Sequence, residues 1–342
     1  MMYRVLIADD SAVMRRLLLT TLEPEPDIRV VGQARDGAEA VRLSVSLRPD
    51  VIIMDINMPV MDGLQATKRI LEHDTVPIVV LSSYVNDPSS KMAFEAISAG
   101  ALAVVAKPAS PEEIEYQRMH AELVRAVRSL AGIKVVRREL PRTGQIVPMA
   151  AHHTPTHVRS VAIVASTGGP AAIHFMLRRL PANFPAPLLI VQHLTRGFVT
   201  GLVEWLSNDC KLDVRLAQAG ELPQPGQALF APDDCHLAVD TRGFVTLSDG
   251  EPVGGHRPSG TVLLRSVART FGAQAVGIVL TGMGADGADG LLSIKHVGGQ
   301  TLAQDEATSV VYGMPREAAA LGAAQSVLSL ERIVAHLLAI VP

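Results

Sequence analysis

The sequence predicts an α/β protein built from two doubly wound parallel-sheet domains. Short apolar runs alternate with amphipathic stretches of helical period over residues 1–131, and again after residue 158. Between them, residues 132–157 break the rhythm with prolines and a local positive charge. At 342 residues the chain exceeds the usual size of one compact core, so two domains of roughly 100–200 residues are expected.

In the first domain, strands read at Arg4–Ala8, Ile28–Gly32, Val51–Met54, Ile78–Leu81 and Leu102–Val105. Helices read near 12–22, 37–47, 63–72, 89–98 and 111–131. Five βα units with short connections make a doubly wound parallel sheet. The stretch GIKVVRRELPRTGQIVPMAAHHTPTH at 132–157 carries four basic residues against one acidic and reads as a linker. His152, His153 and His157 have no carboxylate or cysteine beside them in that stretch, so a solvated linker is expected rather than a metal site.

The second domain, 158–342, opens with VAIVASTGGP at Val161–Pro170. An apolar strand stops at Ser166 and is followed by Thr167 and two glycines. This places a hydroxyl at the carboxyl edge of a sheet, where open α/β folds bind ligands. The glycines permit a sharp turn with backbone N–H groups near a developing oxyanion. Ser166 suits two roles here, nucleophile or N-cap of the next helix. Two further segments repeat the pattern. The run PLLIVQ at Pro187–Gln192 leads into His193, and AVGIVL at Ala275–Leu280 leads into TGMGADGADG. Three strands thus deliver a serine, a histidine and either Asp286 or Asp289 to one sheet edge. A nucleophile, a base and an orienting carboxylate form a triad defined by role rather than order. The order serine, histidine, aspartate differs from that of the α/β-hydrolases.

Composition excludes several classes. Apolar content of 48% with 19% charged residues fits a soluble globular protein, and a net charge of −3 argues against a general nucleic-acid binder. Cys210 and Cys235 form no metal spacing and fit a reduced protein without disulfides. The opening MMYRVLIADD meets aspartates too soon for a signal peptide. No apolar run approaches the roughly 18–20 residues of a membrane span. A soluble cytoplasmic protein without membrane insertion is expected. A dinucleotide enzyme is disfavoured because no GxGxxG follows either domain's first strand.

Polar residues also gather at strand ends in the first domain. Asp9 and Asp10 end the first strand, Asp55 the third, Ser82 the fourth, and Lys107-Pro108 the fifth. Adjacent carboxylates repel unless a cation sits among them, and Mg²⁺ suits such oxygen donors. Asp55 can then attack phosphorus and form an acyl phosphate. Ser82 and Lys107 can contact the phosphoryl oxygens.

With the motifs ADDS, MDINMP, LSS and AKP in this order, residues 2–130 resemble the receiver domain of two-component response regulators, which has a flavodoxin-like fold. The resemblance implies Asp55 as phosphoacceptor and Asp9, Asp10, Asp55 and the Asn57 carbonyl as Mg²⁺ ligands. It implies Ser82 and Lys107 as phosphoryl contacts and a histidine kinase as phosphodonor. Receivers commonly carry an aromatic residue three positions before the lysine, whereas Val104 stands here. Tyr84 is the nearby ring.

Residues 158–341 resemble the catalytic domain of chemotaxis protein-glutamate methylesterases, the CheB family. The matching segments are ASTGGP, QHL, HRPS, LTGMGADG and AQDEATSVVYGMPREA. The resemblance implies hydrolysis of γ-glutamyl methyl esters on chemoreceptor helices, with glutamine deamidation as a second activity and no cofactor for the ester chemistry. It implies Ser166 as nucleophile, His193 as base and Asp286, rather than Asp289, as orienting carboxylate. Backbone N–H groups of Thr167 and Met283 would line the oxyanion hole. Two departures stand out: Val164 replaces a usual glycine, and LTRGF follows His193 in place of MPPGF. Arg257 is either a rim residue or part of a helix start capped by Ser259. Phosphorylation of Asp55 is expected to relieve inhibition by the receiver. A non-catalytic phosphorylation-dependent binding module is the rival reading, disfavoured by the intact serine, histidine and aspartate. A DNA-binding regulator would need a small basic helical effector.

Overall fold

The computed structural model describes residues 2–82, 88–108, 113–131 and 158–339. The expected linker at 132–157 with its histidines, the start of the helix at 111, and Tyr84 lie outside the described residues. The chain divides into two compact units.

In the first unit the elements are β1 (Tyr3–Ala8), α1 (Ala12–Leu22), β2 (Ile28–Ala34), α2 (Gly37–Leu47) and β3 (Val51–Asp55). They continue as α3 (Gly63–His73), β4 (Ile78–Ser82), α4 (Pro88–Ser98), β5 (Ala103–Ala106) and α5 (Glu113–Leu130). The sheet has the order β2-β1-β3-β4-β5 with all pairs parallel. β3 and β4 are buried throughout, which explains their continuous apolar sequence. Helices α1, α2 and α3 start where Ser11, Asp36 and Asp62 accept from the N–H groups of Met14, Glu39 and Gln65. The chain reverses direction across the sheet between β1 and β3. Their carboxyl ends therefore bound the crevice in which open α/β sheets bind ligands.

The second unit begins with β6 (Ser160–Ala165), α6 (Gly169–Leu177), β7 (Leu188–Gln192), α7 (Val199–Asp209), β8 (Asp213–Leu216) and β9 (Gln227–Phe230). A hairpin of β10 (His236–Val239) and β11 (Val245–Ser248) precedes α8 (Gly260–Phe271). Then follow β12 (Ala275–Val279), α9 (Ala288–His296), β13 (Gln300–Gln304), α10 (Met314–Ala320), β14 (Ser326–Leu328) and α11 (Leu330–Ala339). Seven parallel strands run β14-β13-β12-β6-β7-β9-β8. The antiparallel hairpin stands apart from this sheet. Val164, Val191, Leu229, Leu263, Leu264 and Leu291 belong to one buried cluster on this sheet. Truncating a leucine such as Leu264 to alanine should cost about 2–5 kcal/mol. Here the reversal falls at β6, flanked by β12 and β7. The segments that leave these three strands are those that the sequence marked.

Among the described residues, no helix is long and apolar enough to cross a membrane.

Candidate active site

Ser166 follows the last residue of β6, and His193 the last residue of β7. These strands pair with Ala165 opposite Gln192, so the two residues leave the sheet at the same level. The N–H of His193 donates to the Ala165 carbonyl at 2.9 Å. Gln192 ties the two turns together: its side-chain amide donates to the Ser166 carbonyl at 2.9 Å and the His193 carbonyl at 2.8 Å. Ser166 does not cap α6. Gly168 occupies that position with no side-chain cap, because the chain needs a left-handed residue there to turn from strand to helix.

Nε2 of His193 lies 3.0 Å from Oδ2 of Asp286. Its other nitrogen, Nδ1, is buried and hydrogen-bonds to none of the described residues. Oγ of Ser166 makes no hydrogen bond to His193 in this arrangement, and such contacts commonly tighten only when substrate binds. Asp289 is not the carboxylate that His193 meets: it lies in the first turn of α9, with Arg265 at 3.8 Å.

Asp286 sits against the start of α8. Its carboxylate accepts from the N–H of Gly260 at 2.6 Å, the N–H of Thr261 at 3.0 Å and Oγ of Ser259 at 2.8 Å. Burial on its own would raise the pKa of Asp286. Hydrogen bonds from His193 and Thr261 and the charge of His193 outweigh burial and hold it far below the ordinary carboxylate range. The group is therefore an anion, fixed in direction, and able to stabilise an imidazolium at His193.

The loop after β12 brings Met283 to the same edge. The Thr281 carbonyl accepts from the Ser166 N–H at 3.0 Å, and the Thr281 hydroxyl donates to the Thr167 carbonyl at 2.9 Å. A Cβ on Gly282 would lie 2.6 Å from Cβ of Ser166, so the loop approaches the serine as closely as glycine permits. The segment 303–318 braces this loop from behind. Gln304 accepts from the Thr281 N–H at 2.8 Å, and the Gly282 carbonyl accepts from the Met314 N–H at 2.8 Å. Met314 is fully buried. Met314 gives this support through its backbone N–H and its buried side chain.

In the first unit, oxygen atoms of Asp9, Asp10 and Asp55 all lie within 4.8 Å of one another. Asp9 and Asp55 are buried, Asp10 exposed. Lys107 reaches both buried carboxylates, with Nζ at 2.8 Å from Asp9 and 2.8 Å from Asp55. Burial raises the pKa of Asp55, with Asp9 adding to it and Lys107 opposing. Ser82 is buried at the end of β4. Asn57 N–H approaches Oδ1 of Asp55 at 3.4 Å. Three oxygen donors around a crowded, under-neutralised centre fit a small hard cation such as Mg²⁺.

Two family descriptions match the chain: "CheB methylesterase" over residues 161–337 and "Response regulator receiver domain" over residues 5–117. The chain is similar to protein-glutamate methylesterase/protein-glutamine glutaminase 4 of Myxococcus xanthus, 45% identical over 98% of this chain and 96% of that protein. It is similar to the protein of the same name in Nitrosospira multiformis, 43% identical over 98% and 96%. The second unit resembles the crystal structure of the Thermotoga maritima CheB methylesterase catalytic domain. The likeness has a TM-score of 0.52 and 35% identity, and covers 54% of this chain and all of that one.

The chain belongs to the CheB methylesterase family. It is an ester hydrolase that carries a receiver domain.

Val164 is fully buried. A Cβ on Gly260 would fall 2.2 Å from its Cγ1, and Gly287 packs against the same side chain. The valine thus fills space beneath the Asp286 cradle. The LTRGF loop is held by Asp233, which accepts from the Gly197 N–H at 2.7 Å, and by an Arg196–Asp234 pair at 3.0 Å. In the receiver domain, Val104 is buried in β5 opposite Val80, so no aromatic ring is available there to change rotamer. Ser259 does occupy the N-cap of α8, but buried, with its hydroxyl given to Asp286. Arg257 donates to the carbonyls of Asp249 at 2.7 Å and Gly250 at 3.1 Å.

Sequence reasoning missed Gln192, Gln304 and His256. Each stood inside a quoted motif but carried no chemistry of its own. The ring of His256 stacks on that of His193, with centroids 4.1 Å apart.

Proposed function

We propose that this enzyme hydrolyses γ-glutamyl methyl esters on chemoreceptor cytoplasmic helices, releasing methanol, and deamidates particular glutamines there. It would act in the cytoplasm, in the adaptation arm of a chemosensory pathway. The observation that carries this reading is the His193–Asp286 hydrogen bond of 3.0 Å, one residue past the strand that pairs with the Ser166 strand. The relatives' names supply the substrate class.

In this mechanism the Ser166 hydroxyl attacks the ester carbonyl while Nδ1 of His193 takes its proton. Asp286, fixed by Ser259, Gly260 and Thr261, holds the imidazole and balances its positive charge. Backbone N–H groups of Thr167 and Met283 face the developing oxyanion. The tetrahedral intermediate collapses to a glutamyl–serine ester. The methoxide oxygen leaves with the proton from His193, as methanol. Water, deprotonated by His193, then cleaves the serine ester and restores the enzyme. A glutamine follows the same path with ammonia as the leaving group.

The receiver domain would control this activity. Asp55 accepts a phosphoryl group from a histidine kinase, and Ser82 and Lys107 bind its oxygens. Asp9, Asp10, Asp55 and the Asn57 carbonyl would hold Mg²⁺. When bound, the ion neutralises the carboxylates as the anionic donor arrives. Residues 132–157 would join the two domains.

Methanol release from methylated chemoreceptor membranes tests the reading. Release by the wild type and none by Ser166→Ala is expected. Equal release by both would overturn it.

A further inference from the structure

The imidazoles of His193 and His256 lie face to face, with centroids 4.1 Å apart and planes 3° from parallel. Asp286 holds only one end of the His193 ring, at Nε2. A ring tethered there can still swing about its Cβ–Cγ bond, which displaces Nδ1. A flat group packed on its face opposes that swing, because tilting the ring separates the faces or drives them together.

His256 is itself firmly placed. Its N–H and carbonyl both bond to Val253, at 3.1 Å each. The next residue, Arg257, donates to the Asp249 and Gly250 carbonyls. Ser259 N–H donates to Nδ1 of His236 at 3.2 Å, and Nε2 of His236 lies 3.0 Å from the Glu251 carbonyl. The same short segment then supplies Ser259, Gly260 and Thr261 to Asp286. One stretch of chain therefore grips the ring of the base with His256 and the orienting carboxylate three to five residues later.

We propose that His256 is a positioning residue for ester hydrolysis: its ring fixes the plane of His193 so that Nδ1 stays aimed at the Ser166 hydroxyl. It exchanges no proton in the reaction. The proposal rests on the assignment of His193 as base. It predicts an effect on turnover rather than on substrate binding, because His256 acts through His193.

The test uses the full chain and methanol release from methylated receptor membranes. His256→Ala should lower kcat about 10–100-fold, as expected for a loosened catalytic group, with KM within about twofold. His256→Phe, which keeps a flat face, should recover most of that loss. His256→Leu fills similar space without a flat face and should not. Thermal melts confirm that each variant is folded; if His256→Ala is not, the Phe and Leu pair decides. Wild-type kcat in a folded His256→Ala overturns the proposal, as do equal rates for Phe and Leu. His193→Ala is measured alongside. If it is inactive while His256→Ala works normally, only the stack is refuted. If His193→Ala remains active, the base assignment falls and the proposal with it.

Discussion

Oγ of Ser259 donates a 2.8 Å hydrogen bond to Oδ1 of Asp286, although Ser259 stands at the N-cap of α8. A cap hydroxyl ordinarily serves its own helix. Here a carboxylate from a distant loop takes over that duty, accepting from the N–H groups of Gly260 and Thr261. The anion is favoured by the positive end of the helix dipole. Helix capping and the hydrogen bond to His193 thus meet in one carboxylate, so a change at Asp286 bears on both.

This coupling has a pH signature. The native pKa of Asp286 is depressed below an unfolded value of about 3.9. A depressed native pKa contributes stability above the unfolded pKa, and that contribution is lost as pH falls toward the native one. Asp286→Asn should therefore destabilise the catalytic unit by about 1–3 kcal/mol at pH 7, with the difference shrinking by pH 3. Urea unfolding at the two pH values checks this. A constant difference would show that the charge of Asp286 contributes nothing to stability.

Ser166→Ala should abolish methanol release, with a loss on the order of 10³–10⁶, since triad members act as a unit. His193→Ala should behave similarly. Asp286→Asn should impair turnover far more than Asp289→Asn, because Asp289 is exposed and, among the described residues, pairs with Arg265 at 3.8 Å. Steady-state rates on the four variants rank them. The reverse order for the aspartates would move the carboxylate assignment.

Gly282→Ala should cost both activity and stability. The new methyl group would lie 2.6 Å from Ser166 Cβ and 2.4 Å from Met314 Sδ. The Met283 loop must then retreat from the serine. A destabilisation of about 1–3 kcal/mol is expected from the overpacking, together with a lower kcat. A thermal melt and a rate measurement suffice. An unaltered kcat would mean that the loop's approach to Ser166 is not needed for turnover.

Asp55 should become phosphorylated only with a divalent cation. Its site holds three carboxylates and one lysine, so an anionic donor meets net repulsion without added positive charge. Acetyl phosphate with Mg²⁺ should label the wild type. Excess chelator, or Asp55→Asn, should remove the label. Persistent labelling in chelator would argue against the carboxylate cluster as the cation site.

Most of what the sequence disclosed lay in its longest apolar runs. The ends of β1, β3, β4 and β5 in the first unit fall within two residues of their expected positions, because continuous Val and Ile runs with short connections have few alternatives to a buried parallel strand. In the second unit β6, β7 and β12 were legible for the same reason, and with them the positions of Ser166, His193 and Asp286. The outer strands were not. β8 reads DVRL, and β14 spans three residues; neither carries a pattern distinct from a loop. The supporting side chains were hidden for another reason. Gln192 and Gln304 act through amides that join backbone groups on separate strands, and His256 acts through a ring face. Such roles exist only once the chain is folded, and residue type alone does not announce them.

The two domains should also be linked in function, and the receiver supplies the means. Phosphorylating Asp55 adds charge beside Ser82 and Lys107, at the ends of β4 and β5, and favours conformations that satisfy the new oxygens. Val104 is buried and carries no ring, so an aromatic side chain at that position takes no part in the response. If the unphosphorylated receiver restrains the esterase, removing it should relieve the restraint permanently. A fragment of residues 150–342 is then expected to hydrolyse methylated receptors faster than the unphosphorylated whole chain. The second unit is compact and has its own seven-stranded sheet and buried cluster, so this fragment is a folding unit. Acetyl phosphate and Mg²⁺ should accelerate the whole chain and leave the fragment unchanged. Methanol release from the two proteins, with and without phosphodonor, measures all four rates. A fragment no faster than the unphosphorylated chain would exclude restraint. Stimulation by phosphodonor would then require the receiver to activate the esterase directly or to bring it to its receptor.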